Sequence, residues 1–317
     1  MMQFDRISLG RQAKELGFVR DTFEKVCRLA DVLSFMESDA LLSDTLALKG
    51  GTAINLTIFD LPRLSVDIDM DYSKDVPRET MLHEREQITD HIQKYMTASG
   101  YHLSPKSKQY HALDSFVFEY INAGGMKDNL KIEINYMLRC HVFPVFRRAA
   151  FLPWAEDKIT VLSVEPMEIF SAKAVALINR SAARDLYDMF NLQKYGPFNE
   201  SQKAVFKKCI IFYSAIASEN VPEHFDFSRI GNISAQKIKT DLTPVLRRAE
   251  HFDLQTAKTN VEEYLKGILL PEDDLSFWSA FAKGEYKPEL LFDDPGILLR
   301  IAQHPMARWK CGRKMTE

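Results

Sequence analysis

Three aspartates stand two residues apart in "SVDIDMDY": Asp67, Asp69 and Asp71. Ile68 and Met70 alternate with them, which predicts a strand whose side chains two apart share one face, successive Cα atoms of the set lying roughly 6.5–7 Å apart. Carboxylates that close repel one another and favour a hard cation such as Mg²⁺, which takes one or two carboxylates and fills its shell with water and phosphate oxygens. A merely polar strand face is the alternative for an isolated Asp-x-Asp. A second strand shifts the balance. In "LKIEINYML", Ile132, Ile134 and Tyr136 alternate with Lys131, Glu133 and Asn135. Glu133 is thereby expected to join Asp67 and Asp69 in a three-carboxylate cluster, suited to two cations that clamp the attacking and leaving oxygens of a phosphoryl transfer. The alternative for Glu133 is a surface salt bridge. Asp71 is expected at the periphery.

Upstream, "LALKGG" runs straight into "TAINLTIF", a short buried strand becoming a helix at Gly50 and Gly51. Glycine serves such junctions because it tolerates unusual dihedrals and lets a ligand approach the backbone. The first N–H groups of the helix lack partners and carry partial positive charge, a seat for a phosphate. Thr52 adds a hydroxyl, and Lys49 and Arg63 are cations close by in sequence. The order G-x-x-x-x-G-K-[ST] of a P-loop is absent. One half of this stretch is thus fitted to phosphates and the other to the cation that activates them.

The elements that must position these residues are legible from periodicity. Residues 20–37 place Phe23, Val26, Cys27, Ala30 and Leu33 on one helical stripe. "VPRETMLHEREQITDHIQKYMTASG" predicts a long helix stopping at Gly100. "YHLSPKS", "SFVFEYIN" and "LKIEINYML" follow, the last two joined by the glycine-containing turn "AGGMKDN" into an expected antiparallel hairpin. "DKITVLSV" predicts one more strand. Beyond Pro166 helical patterns dominate. The expected fold is α+β: a mixed β-sheet flanked by helices over 1–165, then a helical bundle over 166–317.

Composition sets the class. Apolar residues make up 46% and charged residues 27% of the 317, which places the chain with soluble globular proteins. No run approaches the ~20 apolar residues of a membrane span, and the charged N-terminal stretch "MMQFDRISLGRQAKELGF" does not read as a secretion signal; the expectation is a cytoplasmic protein with no membrane partner. Cys27, Cys140, Cys209 and Cys311 lack Cys-x-x-Cys spacing, so buried thiols are expected. The histidines show no H-E-x-x-H spacing and there is no G-x-S-x-G elbow. A net charge of −3 means that any polynucleotide must be held by local basic patches. The pairs Arg147–Arg148, Lys207–Lys208 and Arg247–Arg248 and the tail "ARWKCGRK" are the places to look, although solvated surface charge is the plainer reading of each pair.

The succession "KGGTAINL", "RLSVDIDMDY", "KIEINY" resembles the DNA polymerase β-like nucleotidyltransferase superfamily, whose pattern is Gly-Gly/Ser, a short helix, Asp-x-Asp on a strand and a third acidic residue on a later strand. "EPMEIFSAKAVALINRSAARDLYDMFNL", residues 165–192, is similar to the helical motif of its AbiEii/AbiGii toxin branch, in which a lysine and an arginine on one helix precede a "[KR]D-x-YD" segment. That branch supplies toxins of type IV toxin–antitoxin and abortive-infection systems. The resemblance implies that Asp67 and Asp69 bind Mg²⁺, or Mn²⁺ in its place, that Gly50, Gly51, Thr52 and Ser65 contact a nucleoside triphosphate, and that Lys173 and Asp188 belong to the active site. Thr52 stands where many members have serine, and Glu133 where aspartate is common. Spacing supports the helical motif: Ile169, Lys173, Ala176 and Arg180 fall on one stripe and Phe170, Ala174, Leu177 and Ile178 on an apolar one, while Asp185 and Asp188 share a face of the next helix. An interhelical salt-bridge network among Lys173, Arg180, Asp185 and Asp188 is the alternative, and it too could position Lys173.

The expected reaction transfers a nucleoside monophosphate from a triphosphate to an acceptor hydroxyl and releases pyrophosphate. Within that branch the implied acceptor is the 3′ end of tRNA, whose modification blocks translation, and the implied protein partner is a cognate antitoxin encoded nearby. Three rivals stand beside it: transfer to a protein side chain, an Asp-x-Asp glycosyltransferase, and a nucleotide-binding module without turnover. The glycine pair and Lys173 disfavour the second, and the full set of carboxylates disfavours the third.

Overall fold

In a computed structural model that describes residues 4–156, 158–270 and 275–314, the segments that alternate apolar and polar residues pair into one mixed sheet. Its strands are β1 (Leu46–Lys49), β2 (Asp67–Tyr72), β3 (His102–Leu103), β4 (Lys108–Gln109), β5 (Leu113–Ile121), β6 (Lys127–Asn135), β7 (Phe146–Ala149) and β8 (Thr160–Ser163). They lie in the order β3-β5-β6-β2-β1-β8-β7, with β4 on β5. β2 runs parallel to β6 and β1 parallel to β8, while the other pairings are antiparallel. The expected hairpin is β5–β6, in register from Leu113 opposite Asn135 to Ile121 opposite Lys127. Period-two patterning decides what each face does: Ile68, Met70 and Tyr72 of β2 and Ile132, Ile134 and Tyr136 of β6 are all buried, whereas Asp67, Asp69, Lys131 and Glu133 keep partial exposure.

Helices flank the sheet: α1 (Arg6–Leu16), α2 (Arg20–Ser38), α3 (Ala40–Thr45), α4 (Gly50–Ala53) and α5 (Arg78–Ala98). Asp5 caps α1 by accepting from the Ser8 N–H at 2.8 Å. α2 buries the stripe read from sequence and adds a buried Glu24, which accepts from the Ala123 N–H in the β5–β6 turn at 2.9 Å and from Arg28 Nε at 2.9 Å. Its hydrogen bonds pin the hairpin turn to α2.

The chain divides into two compact units, and neither is continuous. The first takes in Met1–Arg139, Val145–Val164 and Pro244–Glu250; the second takes in Cys140–Pro144, Glu165–Thr243 and His251–Glu317. Pro244–Glu250 comes back to the first unit to support the loop before β2. There the Leu64 N–H donates to Val245 O at 2.8 Å, Arg63 bridges to Leu246, and Arg247 Nη2 reaches Leu61 O at 3.1 Å.

The second unit is helical: α6 (Pro166–Asn179), α7 (Ala183–Tyr195) and α8 (Glu200–Ala217), with further helices Leu254–Leu269, Ser276–Ala282, Pro295–Ile301 and Pro305–Lys314. Pro166 starts α6 where its missing N–H costs nothing, behind a Glu165 cap. α8 opens with a capping box between Asn199 and Gln202. The ring of Phe212 meets those of Phe277, Phe292 and His304, the aromatic centre of this unit. Glu168, 2% exposed, accepts from the Val142 and Phe143 N–H groups at 3.0 and 2.9 Å and from the Tyr213 hydroxyl, which ties 140–144 to the bundle.

The mixed sheet flanked by helices agrees with the sequence reading, and so do the four cysteines, all of them buried. "YHLSPKS" contributes only His102–Leu103, because its proline and serines interrupt the pairing. "DKITVLSV" pairs over Thr160–Ser163; its first residue, Asp157, lies outside the described residues, as do Met1–Gln3 of the quoted N-terminal stretch. β7 was not expected. Its "FRRA" sequence is largely exposed and lacks alternation, as an edge strand does. Among the described residues no helix is long and apolar enough to cross a membrane.

Candidate functional site

Register builds the site. In the parallel β2–β6 pair Asp67 lies beside Lys131 and Asp69 beside Glu133; in the antiparallel β1–β2 pair Lys49 lies opposite Asp69. Side chains directly opposite one another in a sheet share a face, so one surface carries Lys49, Asp67, Asp69, Lys131 and Glu133. Glu133 Oε1 is 2.9 Å from Lys131 Nζ. Burial pushes the Lys131 ammonium pKa down, but the hydrogen bond and charge of Glu133 and the charges of Asp67 and Asp69 outweigh it, and the net shift is upward. Lys49 Nζ sits 2.5 Å from Oδ1 of Asp71, whose side chain is only 5% exposed. Asp71 is thus the buried partner of Lys49.

The turn from β1 into α4 abuts this surface. Gly50 has φ +66°, and a Cβ added to it would lie 2.6 Å from Asp69 Oδ2. A Cβ on Gly51 would lie 2.9 Å from both Arg63 Nη2 and Ser65 Oγ. Position 50 demands glycine for both its dihedral and its close approach, whereas at Gly51 the near atoms are side-chain tips. Thr52 is fully buried and its hydroxyl donates to the Asp67 carbonyl at 2.5 Å, fastening the helix start to β2. Asn55, also buried, donates from Nδ2 to Gly51 O at 2.7 Å and accepts the Arg63 N–H at 3.2 Å. Arg63 is 1% exposed and donates from Nη1 to Leu64 O at 2.9 Å. After Ala53 the helix widens into a π-type turn, Ile54–Ile58, a form that recurs beside functional sites.

In the second unit Lys173 on α6 faces two carboxylates of α7: Nζ lies 2.9 Å from Asp185 Oδ1 and 3.3 Å from Asp188 Oδ2. Arg180 Nε lies 2.9 Å from Asp185 Oδ2. Both aspartates are buried, whereas the Arg180 side chain is 67% exposed. Burial pushes the Asp185 carboxyl pKa up; Lys173 and Arg180 more than reverse this and hold it below the usual carboxylate range. The interhelical network offered by the sequence as the alternative to a catalytic Lys173 is thus present.

The model of the family described as nucleotidyl transferase AbiEii toxin, type IV TA system, matches residues 33–283. The chain belongs to the AbiEii nucleotidyltransferase toxin family. It is similar in structure to MenT4, a nucleotidyltransferase toxin from Mycobacterium tuberculosis, with a TM-score of 0.64 and 15% identity over 88% of this chain and 94% of that one. At that identity the likeness shows a shared fold. No curated protein matches the chain.

For an AbiEii-family nucleotidyltransferase the first unit gathers Lys49, Gly50, Gly51, Thr52, Arg63, Ser65, Asp67, Asp69 and Glu133 around one strand-to-helix turn, and the second gathers Lys173, Arg180, Asp185 and Asp188 around one helix pair. The family works with a divalent cation. Among the described residues no group of three or more His, Cys, Asp or Glu side chains is gathered to hold a metal ion, and Glu133 is engaged with Lys131 instead. Asp67 and Asp69 still fit a hard divalent cation, since Mg²⁺ takes one or two carboxylates and fills the rest of its shell with water and phosphate oxygens, and both carboxylates are partly exposed on one face.

Sequence reasoning missed Asn55 and Lys131. Lys131 was visible as the residue two before Glu133 on the same strand face, a spacing that brings a lysine to a glutamate. The basic pairs are largely spoken for within the AbiEii-family chain: Arg147 pairs with Glu37, Arg247 holds the Leu16 and Leu61 carbonyls, Lys208 pairs with Asp293, and in the tail Arg308 donates to Ala302 O.

Proposed function

We propose that this AbiEii-family chain is a Mg²⁺-dependent toxin that transfers a nucleoside monophosphate from a nucleoside triphosphate to the 3′-terminal hydroxyl of tRNA, blocking translation until its cognate antitoxin opposes it. The observation that carries the reading is the contact of the Gly50 backbone with Asp69, because it brings the strand-to-helix turn, with the first N–H groups of its helix, directly against a carboxylate suited to a cation.

Asp67 and Asp69 would hold the cation, and Glu133 would complete the donor set. Mg²⁺, or Mn²⁺ in its place, supplies Lewis-acid polarisation of the phosphate oxygens and of the acceptor hydroxyl. The backbone N–H groups of Gly51 and Thr52 and the hydroxyl of Ser65 orient the triphosphate, with the Arg63 guanidinium behind them. Lys49 keeps Asp71 neutralised and so keeps β1 and β2 in register. Lys173, its ammonium held by Asp185 and Asp188, neutralises charge on the triphosphate; Arg180 keeps Asp185 ionised. In this reading 1–165 is the nucleotidyltransferase domain and 166–317 the helical domain that contributes Lys173 and Asp188.

The test is to mix purified protein, total tRNA, Mg²⁺ and each α-labelled nucleoside triphosphate in turn. Label in RNA is expected, lost in Asp67→Asn and Asp69→Asn. Label in a polypeptide alone would replace tRNA by a protein side chain as acceptor. No label with any of the four nucleotides overturns the reading.

A further inference from the structure

We infer that Lys131 is an internal counter-cation that competes with the divalent cation for Glu133 and so sets how tightly that cation is held before nucleotide arrives. This rests on the reading of Asp67 and Asp69 as cation ligands.

The parallel register makes a two-by-two array: Asp67 and Asp69 on β2, Lys131 and Glu133 beside them on β6. Across β5 the neighbours of Lys131 and Glu133 are Val117 and Ser115, which carry no charge. Lys49, on the other flank, is taken by Asp71. The same geometry places the obstacle at the third ligand, for Glu133 Oε1 is 2.9 Å from Lys131 Nζ and must give up that hydrogen bond to face a metal. Lysine suits such a role: a point charge on a flexible stem swings from a carboxylate to a phosphate oxygen without redesign of the backbone. Glu133 would be free to complete the donor set only once Lys131 has released it.

The experiment measures Mn²⁺ binding to the full chain without nucleotide, by titration calorimetry and by the loss of the free-ion paramagnetic resonance signal. Lys131→Met removes the competitor and is expected to bind Mn²⁺ about tenfold more tightly, two charges a few ångströms apart in a partly solvated site being worth that much. Lys131→Arg keeps the charge and is expected to bind like the unsubstituted chain. The Lys131 side chain is 37% exposed, so both substitutions leave the core intact, and circular dichroism checks it. Equal or weaker binding by Lys131→Met overturns the inference when Asp69→Asn still abolishes binding. Undiminished binding by Asp69→Asn overturns the cation-site reading beneath it.

Discussion

The backbone of Gly50 lies against the carboxylate of Asp69, so close that a methyl group on residue 50 would sit 2.6 Å from Asp69 Oδ2. The β1–β2 register that puts Lys49 opposite Asp69 carries the next residue onto the acidic face, and φ +66° at Gly50 turns the chain into the helix there. Gly50→Ala is expected to cost about 1–3 kcal/mol of backbone strain and to lower nucleotidyl transfer roughly 100-fold by displacing Asp69. Gly51→Ala meets only the tips of Arg63 and Ser65, which have some freedom to move, and should cost less stability while raising the KM for nucleotide. Thermal unfolding and steady-state kinetics on the two variants check the order.

Lys49 and Asp71 form a pair whose acidic member is almost wholly buried. Lys49→Met leaves that carboxylate without its cation, and the expected loss of stability is about 3–5 kcal/mol. Asp71→Asn in the same chain should restore most of it. Urea unfolding of the two single variants and the double variant measures the coupling; additive effects would sink the assignment of Lys49 to Asp71.

Acid should loosen the helical unit through two carboxylates. Burial raises the Glu168 pKa, but His141, Tyr213 and the Phe143 N–H outweigh it; Asp185 is lowered by Lys173 and Arg180 against its own burial. A folded-state pKa below the unfolded value means stability that is fully present above about pH 4, the ordinary carboxylate value, and lost as pH falls through the depressed one. Glu168→Gln and Asp185→Asn are each expected to lower stability at pH 7 by about 1–3 kcal/mol and to flatten its fall between pH 5 and pH 2. An acid limb of unchanged slope in both variants would refute the attribution.

Arg247 is distant in sequence from the carboxylates, yet it holds Leu61 O at 3.1 Å and Leu16 O at 3.3 Å while lying over the Phe18 ring. Arg247→Met should destabilise the first unit by about 1–2 kcal/mol and raise the KM for nucleotide several-fold through Arg63 and Ser65, with little change in kcat. A fall in kcat at constant KM would point to direct participation in the chemistry instead.

In bacteria, induced expression of the unsubstituted chain should arrest growth, and expression of Asp69→Ala or Lys173→Ala should not. Colony counts after induction read this out. Equal arrest by all three would separate toxicity from nucleotidyl transfer.

What could be read from sequence was what alternation and helical stripes encode. Asp67 and Asp69 share a face because Ile68 and Met70 have to be buried, and Glu133 joins them because Ile132 and Ile134 do. The α6 stripe of Phe170, Ala174, Leu177 and Ile178 is buried for the same reason. Register was hidden. That Asp69 faces Glu133 and Lys131 sits beside Asp67 follows from how two strands slide against each other, which no single strand's pattern records. The support of Arg63 by Val245 and Leu246 was hidden more deeply, being one bridge between segments about 180 residues apart with no alternation to announce it.

Because Pro244–Glu250 completes the first unit, a ribosome releases β8 long before it makes the strap that steadies the loop carrying Arg63. At about 5–20 residues per second the interval lasts several seconds, during which the nascent acidic face lacks its outer brace. A gene fragment cut after the sheet would encode all three carboxylates and still leave the loop before β2 slack, and a second fragment carrying the missing strap in trans would be the way to tighten it.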